Sequence, residues 1–362
     1  MAATAEALGA IEWADCWVPT APLAPDVAAE VRRQVGFVPQ WAHRLGPVPW
    51  MVRGFTALNH VRVAHMPLRL WPLVALVVSR DNACRYCYGV TRTLLKVLGH
   101  DDAFIDALER EVHLGQLAPA EQAALEFARR ISRADPRPTA REIAALRDAG
   151  FSQPAIAEIA FDAAATVASN RLSTLLALPS ERFVGWADHP VLRLVRPLVA
   201  PFVRVRRAAP VPLPQPNDGP CAAVVAALDG SPAAHVLRQT IDLAMASPIL
   251  PRRTKLLVLA VVGRALGCRH AEAEARDALA AEGLDGATIG RILADLGSPA
   301  LDARDALVVP FARETVRYQT AAIQQRTRAL AAALPLPEAL EVVGIASLAN
   351  AVCRLSVLLD AC

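Results

Sequence analysis

Apolar residues recur every three or four positions along most of the chain, and long alternating runs of β-branched residues are scarce. This spacing is typical of amphipathic helices and predicts an all-α fold. Helix-start residues support it: Asp101 and Asp102 precede one apolar run, and Pro119 lies in the first turn of another. In the first half we predict helices over Pro25–Val35, Val48–Leu58, Leu68–Asn82, the run after Cys87, Asp102–Glu111, Pro119–Arg133, Ala140–Ala149 and Gln153–Leu178.

The sequence contains an internal repeat. A shift of 184 positions aligns thirteen identical residues within the 35 positions from Pro67 to Asp101, among them Cys84 with Cys268. A shift of 183 aligns Asn170-Arg171-Leu172-Ser173 with Cys353-Arg354-Leu355-Ser356. In the second half we predict helices over Ser231–Ala246, Pro251–Leu266, the run after Cys268, Gly286–Leu296, Asp302–Gln319, Ala321–Ala333 and Pro337–Leu359.

A proline-dense segment, Ala187–Pro220, lies between the two repeats and cannot form a continuous helix. We therefore predict two tandem helical domains, 1–186 (the N-terminal half) and 221–362 (the C-terminal half), joined by a linker over 187–220 and packed as a pseudo-dimer. The basic, apolar stretch Val191–Arg207 fits a linker packed across the domain interface, and less well a segment on a membrane surface.

Composition narrows the functional classes. The chain is 54% hydrophobic and 20% charged, with a net charge of +3. So small a charge predicts no nucleic-acid groove. The apolar runs Leu70–Val78 and Leu256–Val262 are too short to span a bilayer. Seven cysteines without a framework spacing, and an N-terminus without signal-peptide features, predict a cytoplasmic, mostly reduced protein.

Cys84-Arg85-Tyr86-Cys87 is the strongest chemical motif in the chain. Two thiols separated by two residues can meet within one helical turn and form a small disulfide ring. At a helix N-terminus, the free N–H groups and the helix dipole favour a thiolate. A thiol redox pair is the leading interpretation; an inert pair and half of a zinc site remain alternatives, although no second CxxC supplies further metal ligands.

Around this motif, the sequence 73–87 and the later 150–159 resemble the alkylhydroperoxidase AhpD-like branch of the carboxymuconolactone decarboxylase-like superfamily. The resemblance implies an all-α fold, a homo-oligomer and a thiol peroxidase, without metal or cofactor. It implies that Cys87 attacks the peroxide, and that Cys84 supplies a proton and then closes the disulfide. A dithiol reductant, such as a lipoylated or thioredoxin-like protein, would restore the thiols.

The sequence departs from the family pattern at the proton relay. The resemblance implies a glutamate and a histidine at the positions of Pro72 and Thr91. Without them, positive charge from Arg80, Arg85 or Arg92 could stabilise the thiolate. Tyr86, Tyr88, Asp81 and His100 are other candidate proton carriers, and His60 and His65 lie nearby in sequence.

The C-terminal half carries an incomplete motif, Cys268-Arg269-His270-Ala271, in which alanine replaces the attacking cysteine. We expect this half to be catalytically silent, with Cys268 as a third redox thiol or a metal ligand with His270 the minor alternatives. Cys16, Cys221, Cys353 and Cys362 are interpreted as buried or incidental.

Two functions follow. The chain is predicted to be a thiol-dependent peroxidase or thiol–disulfide oxidoreductase acting through Cys84 and Cys87. The alternative is a catalytically inactive helical scaffold or binding module, which the missing relay residues favour. A lactone decarboxylase, the other activity of the superfamily, does not use a CxxC motif and ranks third.

Overall fold

The computed structural model describes residues 13–135, 137–184, 198, 200 and 207–360. Within these residues the regular elements are helices, and the extended pairing is limited to two isolated bridges, Val63 with Arg207 and Val211 with Gly230. The all-α prediction is confirmed.

The described residues of the N-terminal half form nine α-helices and a short 3₁₀ turn, Val112–Leu114. The helices are α1 (Pro25–Val35), α2 (Gln40–Leu45), α3 (Pro49–Asn59), α4 (Leu70–Asp81), α5 (Arg85–Leu98), α6 (Asp102–Arg110), α7 (Pro119–Arg133), α8 (Ala140–Asp148) and α9 (Gln153–Leu175).

The described C-terminal half contains eight α-helices and a final 3₁₀ turn, Ser356–Leu358. They are α10 (Ala222–Ala226), α11 (Pro232–Ala246), α12 (Arg252–Ala265), α13 (Arg269–Ala281), α14 (Gly286–Asp295), α15 (Ala303–Glu314), α16 (Thr320–Ala333) and α17 (Leu336–Leu355). The sequence pattern predicted all of the long helices and missed α2 and α10, which are too short to show a helical period.

Two long helices, α9 and α17, pack against each other in the centre. Both are buried on nearly all sides. In the described part of the chain one helical segment, Leu336–Leu358, has the length and hydropathy of a membrane span, and it is entirely buried within the protein. It is surrounded by α9, α12, α15 and α16.

A buried arginine on each central helix reaches the opposite half of the chain. Arg171 of α9 donates to the carbonyl oxygens of Thr315 and Val316, at 3.3 and 2.9 Å, just beyond the end of α15. Arg354 of α17 donates to the carbonyl oxygen of Ser132, at 3.0 Å, in the last turn of α7. The cations thus bind carbonyls at helix C-termini, which have no partners within their own helix and carry the negative end of the helix dipole.

The halves also meet where α3 packs against α11. A Cβ atom at Gly54 in α3 would lie 2.8 Å from the Thr240 side chain in α11, so the close approach requires glycine. At the end of the linker, Arg207 donates to the carbonyl oxygens of Ala64 and Met66 at 2.7 and 3.3 Å. Most of 187–206 lies outside the described residues, so the predicted packing of Val191–Arg207 stays a prediction.

The buried apolar residues of both halves form one continuous cluster. The domain boundaries at 186 and 221, and the pseudo-dimer of tandem repeats, remain predictions from the sequence. The reciprocal arginine contacts agree with the repeat, because the 183-residue shift aligns Arg171 with Arg354 and Ser132 with Thr315.

A buried carboxylate fixes the segment that leads into α4. Glu158 of α9, 1% exposed, accepts the backbone N–H groups of Ala64, His65 and Met66, each at 2.8 Å. It also accepts the Ser231 hydroxyl at 2.8 Å, at the start of α11. This single side chain therefore joins α9, the chain before α4 and the C-terminal half.

Replacement of Glu158 by alanine should lower the free energy of unfolding by about 3–5 kcal/mol, because it leaves several buried donors without an acceptor. Urea denaturation followed by circular dichroism measures the change. Glu126→Ala is the matched control: the Glu126 side chain is 54% exposed and its ion pair with Arg129 is long, at 3.5 Å. The control should change stability by no more than about 0.5 kcal/mol. Equal effects of the two substitutions would contradict the role of Glu158.

Candidate functional site

The CxxC motif lies at the turn between α4 and α5. Ala83 adopts the left-handed conformation, with φ of 50°, and the backbone N–H of Cys84 donates to the carbonyl oxygen of Ser79 at 3.0 Å. Cys84 is the N-cap residue of α5, where its sulfur accepts the backbone N–H of Cys87 at 3.4 Å. The motif thus occupies the helix N-terminus that the sequence predicted.

The two sulfurs differ in their exposure. Cys84 is fully buried, whereas Cys87 is partly exposed. The Cys87 sulfur lies 3.5 Å from the hydroxyl oxygen of Ser173, on α9. Both cysteines are free thiols in this structure, as are the four other cysteines of the described residues. Of the two cysteines, Cys87 is the one with some solvent exposure.

Hydrogen bonds place the negative charge of the reduced pair on Cys84. Burial raises the pKa of Cys84, but hydrogen bonds from the Cys87 thiol and the Cys87 backbone N–H outweigh it, and the net shift is downward. Burial and the bond that it donates to Cys84 raise the pKa of Cys87 well above its ordinary value. Of the two sulfurs, Cys84 is therefore the more acidic.

A tyrosine and a carboxylate lie beside the thiols. The Tyr86 hydroxyl donates to Glu181 Oε1 at 2.9 Å, and the same oxygen accepts the backbone N–H of Gln40 at 3.2 Å. Burial, the charge of Glu181 and the charge of Cys87 raise the pKa of Tyr86 well above its ordinary value. Glu181, which is 6% exposed, follows α9 and is 94 residues from Cys87 in the chain, so no sequence motif pointed to it.

The C-terminal half also contributes to this site. Tyr318 follows α15, and the guanidinium carbon of Arg171 lies over its ring, 5.0 Å from the centroid of the Tyr318 ring. Burial raises the pKa of Tyr318, and the charge of Cys84 raises it further. Arg171 in turn donates to the side-chain oxygen of Asn82, in the turn before Cys84. The thiol site is therefore built from both halves of the chain.

Two of the three arginines near the motif in sequence, Arg80 and Arg92, have other partners. Arg92 binds the carboxylates of Glu109, Asp106 and Asp102 at 2.7, 2.7 and 2.9 Å. Arg80 donates to the carbonyl oxygen of Arg110 at 3.4 Å. The dominant stabilisation of the Cys84 thiolate comes from hydrogen bonds rather than from these cations.

The other candidate proton carriers are engaged elsewhere. Asp81 pairs with Arg129 and Arg133, and His100 stacks on Phe104 with ring centroids 4.7 Å apart. The hydroxyl of Tyr88 lies 3.2 Å from Arg92. The ring nitrogens of His60 and His65 contact the carbonyl oxygens of Thr56 and Gly230, respectively.

The relay positions of the family pattern are buried and carry no acid or base: Pro72 lies within α4 and Thr91 within α5. Of the sequence candidates for a proton carrier, the structure places Tyr86 in contact with a carboxylate beside the thiols. Tyr86 and Glu181 thus form a hydrogen-bonded pair of a hydroxyl and a carboxylate next to the CxxC motif.

Few known proteins match this chain. No protein-family model matches the chain, and no curated protein matches it. Among solved structures, the chain is similar to the AhpD core of an uncharacterized peroxidase-related protein from Ralstonia eutropha JMP134, with 23% identity and a TM-score of 0.39. The match covers 43% of this chain and 86% of that one.

Replacement of Cys87 by alanine should slow the modification of Cys84 by a small thiosulfonate at pH 7. Alanine removes the S–H donor that stabilises the Cys84 thiolate, whereas serine in Cys87→Ser keeps a donor of similar size. A hydrogen bond to a charged group contributes about 1.5–3 kcal/mol, so Cys84 should react about tenfold more slowly in the alanine variant than in the serine variant. Mass spectrometry of the tryptic peptide 81–85 measures the rate.

Cys16 serves as the internal control for this comparison, because it lies on the segment before α1 and should react equally in both variants. Equal rates for Cys84 in the alanine and serine variants would show that the Cys87 thiol does not stabilise the thiolate.

Proposed function

We propose that this chain is a thiol-dependent oxidoreductase that reduces a hydroperoxide, or a protein disulfide, through Cys84 and Cys87. The observation that carries the proposal is the placement of a buried thiolate-forming sulfur at the N-terminus of α5, next to a partly exposed thiol. A helix N-terminus stabilises a thiolate, and a neighbouring thiol can resolve a sulfenic acid before further oxidation.

In the first step, the Cys84 thiolate accepts the proton of Cys87, and the Cys87 sulfur attacks the terminal oxygen of the hydroperoxide ROOH. The O–O bond breaks, an S–O bond forms, and the alkoxide leaves as ROH after it takes the proton of the Tyr86 hydroxyl, which the Cys84 proton then replaces. Cys87 is then a sulfenic acid and Cys84 is again a thiolate. Partial exposure of Cys87 and full burial of Cys84 support this division of roles.

In the second step, the Cys84 thiolate attacks the Cys87 sulfur. The S–S bond forms, the S–O bond breaks, and hydroxide leaves and becomes water with a proton from solvent. Two electrons have passed from the sulfurs to the peroxide. A dithiol, such as the lipoyl group of a protein or a thioredoxin-like partner, would return them by thiol–disulfide exchange.

We assign proton delivery at this site to Tyr86 and Glu181. Pro72 and Thr91 cannot act as acid or base, whereas the Tyr86 hydroxyl is hydrogen-bonded to a buried carboxylate and is close enough to the sulfurs for their charge to raise its pKa. Delivery of a proton to the leaving oxygen is a general-acid step, which contributes typically 10²–10⁴-fold to a rate.

The alternative function is an inactive scaffold in which the thiols are incidental. The full burial of Cys84 favours it, since a sulfur closed to solvent can serve packing alone. The two functions predict opposite results with peroxide.

Treatment of the reduced protein with cumene hydroperoxide should produce a Cys84–Cys87 disulfide. Trypsin cleaves after Arg80, Arg85 and Arg92, so the disulfide joins peptides 81–85 and 86–92, and non-reducing mass spectrometry identifies the linked pair. Dihydrolipoate should then restore both thiols. In Cys84→Ser, the sulfenic acid on Cys87 should persist and react with dimedone.

If no linked peptide forms at peroxide concentrations that leave the protein folded, the scaffold function is correct. If Cys87→Ser traps a sulfenic acid on Cys84, or a mixed disulfide from Cys84 to a thioredoxin-like protein, the roles of the two cysteines are reversed.

Tyr86→Phe and Glu181→Gln should each slow the formation of the sulfenic acid by about 10²-fold, because each removes part of the proton delivery. The double variant should be no slower than either single variant, since the two residues act as one unit. Stopped-flow measurement of peroxide consumption tests this.

Tyr88→Phe is the matched control for this experiment. The Tyr88 hydroxyl is near Arg92 and Glu109 rather than Glu181, so its loss should leave the peroxide rate unchanged. Additive losses in the Tyr86 and Glu181 double variant, or a loss in Tyr88→Phe of equal size, would show that proton delivery does not pass through the Tyr86–Glu181 pair.

A further inference from the structure

The C-terminal half holds a second pair of neighbouring cysteines, which are distant in sequence. Cys268 is the N-cap residue of α13, and its sulfur accepts the backbone N–H of Ala271 at 3.4 Å. This repeats the geometry of Cys84 at α5, although position 271 carries no thiol. The missing second sulfur comes from another helix, because Cys353 of α17 is hydrogen-bonded to Cys268.

Geometry on α17 supports this pairing. Cys353 and Ser356 are three residues apart and share one helix face. The Ser356 hydroxyl lies 3.0 Å from the Cys268 sulfur and donates to the carbonyl oxygen of Cys353 at 2.9 Å. Cys268 and Cys353 are 1% and 0% exposed, and Ser356 is fully buried. The sequence predicted that Cys353 is buried or incidental. It is buried, and it also contacts the one cysteine of the degenerate motif.

An arginine from the N-terminal half closes this site. Arg137, between α7 and α8, donates to the carbonyl oxygen of Gly267 at 2.8 Å and to the Ser356 hydroxyl at 2.7 Å. It also pairs with Asp360 at 3.1 Å. Its side chain is 21% exposed, so it lies between solvent and the buried sulfurs.

The charge distribution favours a thiolate on Cys268. The hydrogen bond from Cys353 is the largest cause. Together with the contact with Ser356, the hydrogen bond from the Ala271 N–H and the charge of Arg137, it outweighs burial and lowers the pKa of Cys268 to about 6. The hydrogen bond to Cys268, together with burial, raises the pKa of Cys353 well above its ordinary value. At pH 7 the site holds a thiolate and a neighbouring thiol.

We propose that Cys268 and Cys353 form a second dithiol redox site, which a small hydroperoxide oxidises to a disulfide between the N-terminus of α13 and the end of α17. The juxtaposition of a helix-capping sulfur, a second thiol and Ser356 beneath Arg137 carries the proposal. It goes beyond the function assigned to Cys84 and Cys87, because it uses none of their residues.

The hydroperoxide is the oxidant in this reaction. The Cys268 thiolate attacks the terminal oxygen of ROOH, the O–O bond breaks, and the alkoxide takes the Cys353 proton and leaves as ROH. The Cys353 thiolate then attacks the sulfenic sulfur of Cys268, the S–S bond forms, and hydroxide leaves and is protonated by solvent. Two electrons leave the sulfurs and reduce the O–O bond. A small dithiol reverses the oxidation by exchange.

Mass spectrometry of the wild-type protein distinguishes this site from the Cys84–Cys87 pair. After treatment with hydrogen peroxide, blocking with N-ethylmaleimide and digestion with trypsin, the expected disulfide joins peptides 265–269 and 329–354. The Cys84–Cys87 disulfide joins 81–85 and 86–92, so one can fail without the other. Circular dichroism before digestion establishes that the protein is folded.

The pH dependence of the reaction is a second measurement on the wild-type protein. The rate at which the 265–269/329–354 disulfide forms should rise about tenfold per pH unit at low pH and reach a plateau above about pH 7. The reason is that the thiolate is the reactive form and the pKa of Cys268 is about 6. In Arg137→Gln, the rise should move to higher pH. Arg141→Gln, at the exposed first turn of α8, is the control and should leave the profile unchanged.

Cys221 is the competing thiol, since its charge contributes to the raised pKa of Cys353. A link between 265–269 and 208–238, the peptide of Cys221, would overturn the pairing. Failure of the 265–269/329–354 link to form in folded protein would overturn the proposal, as would conversion of Cys268 to sulfinic acid while Cys353 stays reduced.

Discussion

Two buried arginines at the centre of the protein impose the constraint on which the rest of the structure depends. Arg171 and Arg354 lie on the two central helices, are 5% and 3% exposed, and are satisfied by backbone and amide oxygens. Burial, together with the charge of Arg171, lowers the pKa of Arg354 well below its ordinary value. Because an unsatisfied buried cation is costly, the carbonyls at the ends of α7 and α15 must stay where the arginines reach them.

This constraint positions the chain on both sides of the central helices. The segment after α15 brings Tyr318 to the Cys84 site, and the segment after α7 brings Arg137 to the Cys268 site. Each thiol site is therefore completed by a residue from the opposite half.

Local sequence signals were sufficient to predict the helices and the position of the CxxC motif at a helix N-terminus. The apolar period predicted the long helices, and the thiol spacing predicted the capped N-terminus of α5. Local signals do not predict contacts between residues that are distant in the chain. Glu181 and Tyr318 reach the motif only through the packing of α9 and α15. Cys353 was the exception, because the 183-residue shift aligned it with Asn170, one turn from Ser173 and beside the first site. The alignment of Cys353 with Asn170 did not identify Cys353 as a redox partner, because asparagine has no redox chemistry.

The contact between α9 and α17 joins two parts of one polypeptide, and this has a consequence for how the protein can evolve. In a symmetric assembly of identical chains, every substitution appears on both sides of the interface. Here the 183-residue shift places Asn170 opposite Cys353, and the 184-residue shift places Cys87 opposite Ala271. Covalent linkage therefore lets selection alter one thiol environment while the opposite one, and the buried contact between them, stays intact.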